Sequence, residues 1–216
     1  MKKKCKGIIF DMDNTLLRSN IDFSSMKNDT FQFLVSKGIV SKEINIAEQT
    51  TSTIIDSAIR SNLMTEALIK EMWDIPKKYE INGMKDAVLE KGAKELLMEL
   101  QEDFHLVVVT NNSVHAAEKA LQENHIFHYF DCLVGREMMN TLKPASDGFN
   151  YVLNQYKTTS PEEWISVGDS WIDGKASMAA GILFISYNGD AEKMDKMDIR
   201  PTARIQELRE IINFLK

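Results

Sequence analysis

Five short apolar runs, each ending in a cluster of polar residues, constrain the fold of this chain more than any other feature. They lie at residues 5–10, 105–109, 131–134, 164–167 and 182–186. Their residues are apolar in sequence rather than alternating with polar ones. That pattern suits strands buried on both faces, as in a parallel sheet. Between the later runs sit helical patterns with start signals. Ser113 can cap a helix through Ala116, Ala117, Ala120 and Leu121, and Ser146 or Asp147 can cap one through Tyr151, Val152 and Asn154. Strand and helix in alternation predict an α/β fold with an open, doubly wound parallel sheet.

The first interval breaks the rhythm. Roughly 95 residues separate Phe10 from His105, where a crossover needs about a third of that. Ala87, Leu89, Ala93, Leu96, Leu97 and Leu100 recur at helical spacing and are expected to form the crossover helix. This leaves residues 18–83 as an insertion with its own helical patterns: Phe23 to Val35, Ile44 to Ile59 and Leu63 to Trp73. The expected organisation is an α/β core of residues 1–17 and 84–216, with a small helical module, 18–83, inserted after the first strand. Residues 189–200 carry mixed charges and read as a surface loop or short solvated helix.

Composition narrows the function classes. The chain has 216 residues, 44% hydrophobic and 27% charged, which suits a globular protein and not a disordered one. A net charge of -6 disfavours nucleic acid and anionic membranes as partners. The basic cluster Lys2, Lys3, Lys4 and Lys6 precedes too short an apolar run for a secretory signal, and no uncharged stretch reaches the about 20 residues of a membrane span. Cys5 and Cys132 are too few for a disulfide framework. The expectation is a cytoplasmic protein, monomer or homodimer.

Ligands of open α/β sheets collect beyond the carboxyl ends of the strands. Here those ends read Asp11-Met12-Asp13-Asn14-Thr15, Thr110-Asn111-Asn112-Ser113 and Gly168-Asp169-Ser170-Trp171-Ile172-Asp173, while the run at 131–134 leads on to Lys143-Pro144. Gathered carboxylates repel in a low-dielectric cleft unless a cation shares the site, and an all-oxygen donor set suits Mg²⁺. With Lys143, such an ion would let a dianionic phosphate approach a carboxylate. Thr110 and Asn111 fit as hydroxyl and backbone donors to phosphate oxygens. Beyond the i, i+3 pair His125 and His128 the four histidines show no ligand spacing, and the methionines read as core filling.

These residues resemble the four motifs of the haloacid dehalogenase superfamily: DxDxT at Asp11 to Thr15, then Thr110, then Lys143, then GDxxxD at Gly168 to Asp173. The insertion resembles the small helical cap of its phosphoglycolate-phosphatase branch. The resemblance implies a Rossmann-like core and a Mg²⁺-dependent phosphatase for a small phosphomonoester. Asp11 would be the nucleophile forming an aspartyl phosphate, Asp13 the acid and base. The metal would be held by Asp11, Asp169 and the backbone carbonyl of Asp13, with Asp173 orienting the metal shell or Lys143. An acid at position 13 disfavours dehalogenation. The alternatives are a sugar phosphomutase or a non-catalytic binding protein that keeps the motifs. Asn14 stands where many relatives carry Gly, and since Asn tolerates left-handed backbone geometry the departure is read as harmless.

Overall fold

The first strand is a run of four consecutive buried residues, Gly7–Phe10 (β1), whose backbone is paired on both sides. The computed structural model describes residues 4–215, so Lys2 and Lys3 of the basic cluster lie outside the described residues. After β1 come Leu17–Arg18 (β2), the helices Phe23–Ser36 (α1), Thr51–Arg60 (α2) and Glu66–Met84 (α3), then Val88–Leu89 (β3). The remainder alternates: Ala93–Leu100 (α4), His105–Val109 (β4), Val114–Glu123 (α5), Cys132–Val134 (β5), Asp147–Gln155 (α6), Trp164–Gly168 (β6), Trp171–Ala179 (α7), Leu183–Tyr187 (β7), Ala191–Lys196 (α8) and Ala203–Ile205 (β8).

Six strands form one sheet in the order β5-β4-β1-β6-β7-β8, every neighbouring pair parallel. This is the doubly wound α/β architecture expected from the runs. Ser113 caps α5 by accepting from the Ala116 N–H, as its position before the helical pattern predicts. Ile9, Val107, Val109, Val134, Phe149, Val152 and Trp164 share one buried cluster, with Met138 and Met139 filling its edge. The segment 189–200 is partly core: α8 starts at Ala191, Asp190 caps it by accepting the Lys193 N–H, and Met194 is buried against Trp171, Phe184 and Ile199.

Two readings need correction. The crossover helix begins at Ala93, not near Ala87. Val88 and Leu89 pair antiparallel with Arg18 and Leu17, and Gly92 then takes a left-handed backbone (φ 78°) that no helix interior admits. The sixth strand, β8, was not among the five runs, because three residues of mixed polarity on a sheet edge carry no period to detect.

The chain divides into two compact units, one combining the segments up to Ser19 and from Ala87 onward, the other Asn20–Asp86. Arg18, which the sequence assigns to the insertion, pairs with Val88 in the separate two-stranded ribbon of β2 and β3 and falls in the first unit. The second unit packs α1, α2 and α3 around Phe31, Leu34, Ile54, Ile55, Ala58 and Met72. Asp22, Thr50 and Thr65 accept backbone N–H groups at its three helix starts. Its two ends are tied where the Asn20 N–H donates to the Gly83 carbonyl at 2.9 Å. Among the described residues no helix is long and apolar enough to cross a membrane.

Candidate active site

Because β1 lies between β4 and β6 with Phe10 level with Val108 and Val167, the residues that follow these strands emerge at one edge of the sheet. Asp11 continues the ladder, its N–H donating to the Val167 carbonyl at 2.9 Å. Thr110 does the same towards Val134 at 3.0 Å, which joins the β4 end to the β5 end from which Lys143 comes. After Asp11 the chain turns sharply: Asn14 has φ 56°, and the N–H groups of Leu16 and Leu17 both donate to the Met12 carbonyl. The left-handed geometry that the sequence allows Asn14 is thus the one it adopts.

Lys143 is 1% exposed, and its ammonium donates to Asp11 Oδ1 at 2.6 Å, Asp173 Oδ1 at 2.7 Å and the Val109 carbonyl at 2.8 Å. Three acceptors match its three N–H bonds, so the charge is buried with each proton used. Asp173 is fixed at its other oxygen by the Ser170 N–H at 3.1 Å. Gly168 makes room for it: a Cβ there would lie 2.7 Å from the Asp173 carboxyl. Asn111 joins its side-chain amide to the Lys143 backbone at both ends, Nδ2 donating to the carbonyl and Oδ1 accepting from the N–H. Thr110 is buried and its hydroxyl accepts the Asn112 N–H at 3.2 Å.

Carboxylate oxygens of Asp11, Asp169 and Asp173 lie within 4.8 Å of one another. Four aspartates therefore share this edge with one ammonium, counting Asp13. Burial, then the charges of Asp173, Asp169 and Asp13, push the Asp11 carboxyl well above the usual range against the pull of Lys143. Asp169 is pushed up to about 7, chiefly by burial and next by Asp173. Burial alone would lower Lys143, but the charges of Asp11 and Asp173 outweigh it and hold the ammonium protonated. The surplus of hard oxygen donors fits Mg²⁺. Asp11 and Asp173 each give one oxygen to Lys143, and their other oxygens accept from the Thr15 hydroxyl at 3.5 Å and the Ser170 N–H at 3.1 Å.

Asp13 stands apart from the carboxylate trio. Its Oδ1 accepts from the Ser19 hydroxyl and its Oδ2 from the Asn112 amide, each at 2.6 Å. Neither partner was singled out in the sequence. Asn112 was within reach of the rule that post-strand loops carry the chemistry, since it follows Asn111 directly. Ser19 follows no spacing rule, because only the turn at Asn14 brings it back to Asp13.

Residues 8–187 match the family model of haloacid dehalogenase-like hydrolases. The HAD-hydrolase YfnB of Bacillus subtilis is 27% identical over 239 aligned residues, covering 99% of this chain and 96% of its own. A phosphoglycolate phosphatase of Vibrio cholerae is 27% identical over 187 residues, covering 83% and 82%. Among solved structures, that of YfnB bound to magnesium superposes with a TM-score of 0.63 at 25% identity, covering 99% of this chain and all of the other.

Proposed function

The chain belongs to the haloacid dehalogenase-like hydrolases, and from that premise we propose that it is a Mg²⁺-dependent phosphatase of a small phosphomonoester, working through an aspartyl phosphate on Asp11. The observation that carries this reading is the buried Lys143 ammonium bridging Asp11 and Asp173 at 2.6 and 2.7 Å. It lays a permanent positive charge against the carboxylate that a dianionic phosphate must approach, which removes much of the electrostatic barrier to attack.

In the proposed first half-reaction a carboxylate oxygen of Asp11 bonds to phosphorus as the bond from phosphorus to the ester oxygen breaks. The departing oxygen takes a proton from Asp13. In the second, Asp13 takes a proton from water as the water oxygen bonds to phosphorus, and Asp11 leaves as a carboxylate. The hydroxyl of Thr110 and the main-chain N–H of Asn111 bind phosphate oxygens, while Asp173 holds Lys143 in place. Asp11, Asp169 and the Asp13 carbonyl would hold Mg²⁺, which when bound neutralises phosphate charge. The phosphatase name of one relative and the magnesium in the YfnB structure support this reading. By the family resemblance, the helical unit Asn20–Asp86 is read as the cap that selects the substrate.

The test is phosphate release from a panel of phosphorylated metabolites with Mg²⁺ and with EDTA. Release from some members, abolished by EDTA and restored by Mg²⁺, is expected. Release that persists in EDTA would remove the metal from the reading. Conversion of a hexose 1-phosphate to its isomer without free phosphate would point to a mutase instead.

A further inference from the structure

We propose that Asn112 is a positioning residue for proton transfer, which fixes the orientation of the Asp13 carboxyl and biases the transferable proton towards one of its oxygens. This rests on the reading of Asp13 as acid and base. The motif residues do not include Asn112, yet it is buried, 5% exposed, and its Nδ2 donates to Asp13 Oδ2 at 2.6 Å across 99 residues of sequence.

The placement of Asn112 is set from both sides of its own backbone. Its N–H donates to Thr110 Oγ1 at 3.2 Å, and its carbonyl accepts the Arg136 N–H at 2.9 Å. Gly135, just before Arg136, lets the two loops close: a Cβ there would lie 2.8 Å from the Val114 nitrogen. The side chain therefore points at Asp13 from a loop anchored to the ends of β4 and β5.

A carboxamide nitrogen only donates. Asp13 Oδ2 accepts from Asn112 in every protonation state, and an unprotonated carboxyl oxygen accepts better than a protonated one, so the proton is biased towards Oδ1. The partner there is the Ser19 hydroxyl at 2.6 Å, which can rotate to accept from a protonated acid or donate to a carboxylate. In the first half-reaction the proton passes from Oδ1 to the ester oxygen as its bond to phosphorus breaks, leaving Asp13 a carboxylate with a donor at each oxygen. In the second, a proton from the attacking water returns to Oδ1. Without Asn112 that bias is lost and the carboxyl could turn about its bond, so fewer encounters would present the acid correctly.

Two variants test this: N112L, which removes the amide at similar volume, and N112D, which keeps the shape but replaces the donor with an acceptor. The readout is the first-step rate, by rapid quench, on an alkyl phosphate and on para-nitrophenyl phosphate, whose leaving group needs no acid. For both variants the alkyl rate should fall at least about tenfold more than the aryl rate, since a positioned acid contributes on the order of 10²–10⁴. Simple structural damage would lower both rates alike. Equal losses, or none, in whichever variant folds would overturn the proposal, provided D13N separates the two substrates. If D13N also fails to separate them, the acid role of Asp13 itself is wrong, and this inference falls with it.

Discussion

The side-chain amide of Asn111 and the backbone of Lys143 are joined at both ends: Nδ2 donates to the Lys143 carbonyl at 3.0 Å, and the Lys143 N–H donates to Oδ1 at 2.9 Å. The residues come from the loops after β4 and β5, so this pair sets where the lysine enters the carboxylate cluster.

N111L should break both bonds while keeping the volume. Stability should fall by about 1–3 kcal/mol, the cost of buried backbone groups left unsatisfied, and the inhibition constant of inorganic phosphate should rise. Denaturant midpoints and phosphate inhibition measure the two effects. An unchanged phosphate constant would mean that Lys143 keeps its place without Asn111.

D11N should fold as the parent does, by circular dichroism, yet turn over less than about 1% as fast, because removing a covalent nucleophile costs orders of magnitude. An amide oxygen fills the same space but does not carry the phosphoryl group. Residual activity well above that level would reassign the nucleophile.

Lys143 and Asp173 should show energetic coupling. K143M alone leaves buried carboxylates without their counter-charge and should cost about 3–5 kcal/mol. Adding D173N removes one of those charges, so the double variant should be more stable than the two single losses added together. Additive losses in urea titrations would indicate that the 2.7 Å contact contributes little.

Asp169, raised to about 7 by burial and then by Asp173, sets a pH dependence. A carboxyl raised in the folded state binds a proton that the unfolded chain has already released, between roughly pH 4 and pH 7. Metal-free stability should therefore decline as pH rises through that window. Mg²⁺ requires the ionised form, so its affinity should weaken as pH falls below about 7, with proton release on binding. Calorimetry at about pH 6 and about pH 8 measures this. A pH-independent affinity would take Asp169 out of the ligand set.

G168A should be more disruptive than an exposed alanine substitution. Its Cβ would meet Asp173 Cβ, Cγ and Oδ2 at 2.7 Å, and overpacking of this kind costs about 1–3 kcal/mol. Because Asp173 must move, activity should fall further than stability alone accounts for, and Lys143 loses a partner. A melting temperature equal to that of the parent would show that the loop after β6 yields freely.

The sequence by itself determined the α/β class, the principal strands, and the candidates Asp11, Asp13, Thr110, Lys143, Asp169 and Asp173. All of these are local signals: a continuous apolar run is read from adjacent residues, and the polar residues that end it stand at a readable position. What each residue touches was decided only by tertiary structure. The order β5-β4-β1-β6 sets Lys143 against Asp11 across 132 residues, and Asn112 against Asp13 across 99. The start of α4 was likewise non-local, since the pairing of Val88 with Arg18 overrides a helical pattern that the same residues satisfy. Periodicity records which face of an element is buried, whereas a hydrogen bond at 2.6 Å depends on the register of distant strands. The charge balance of four aspartates around one lysine therefore belongs to the fold, although every one of its residues is visible in the sequence.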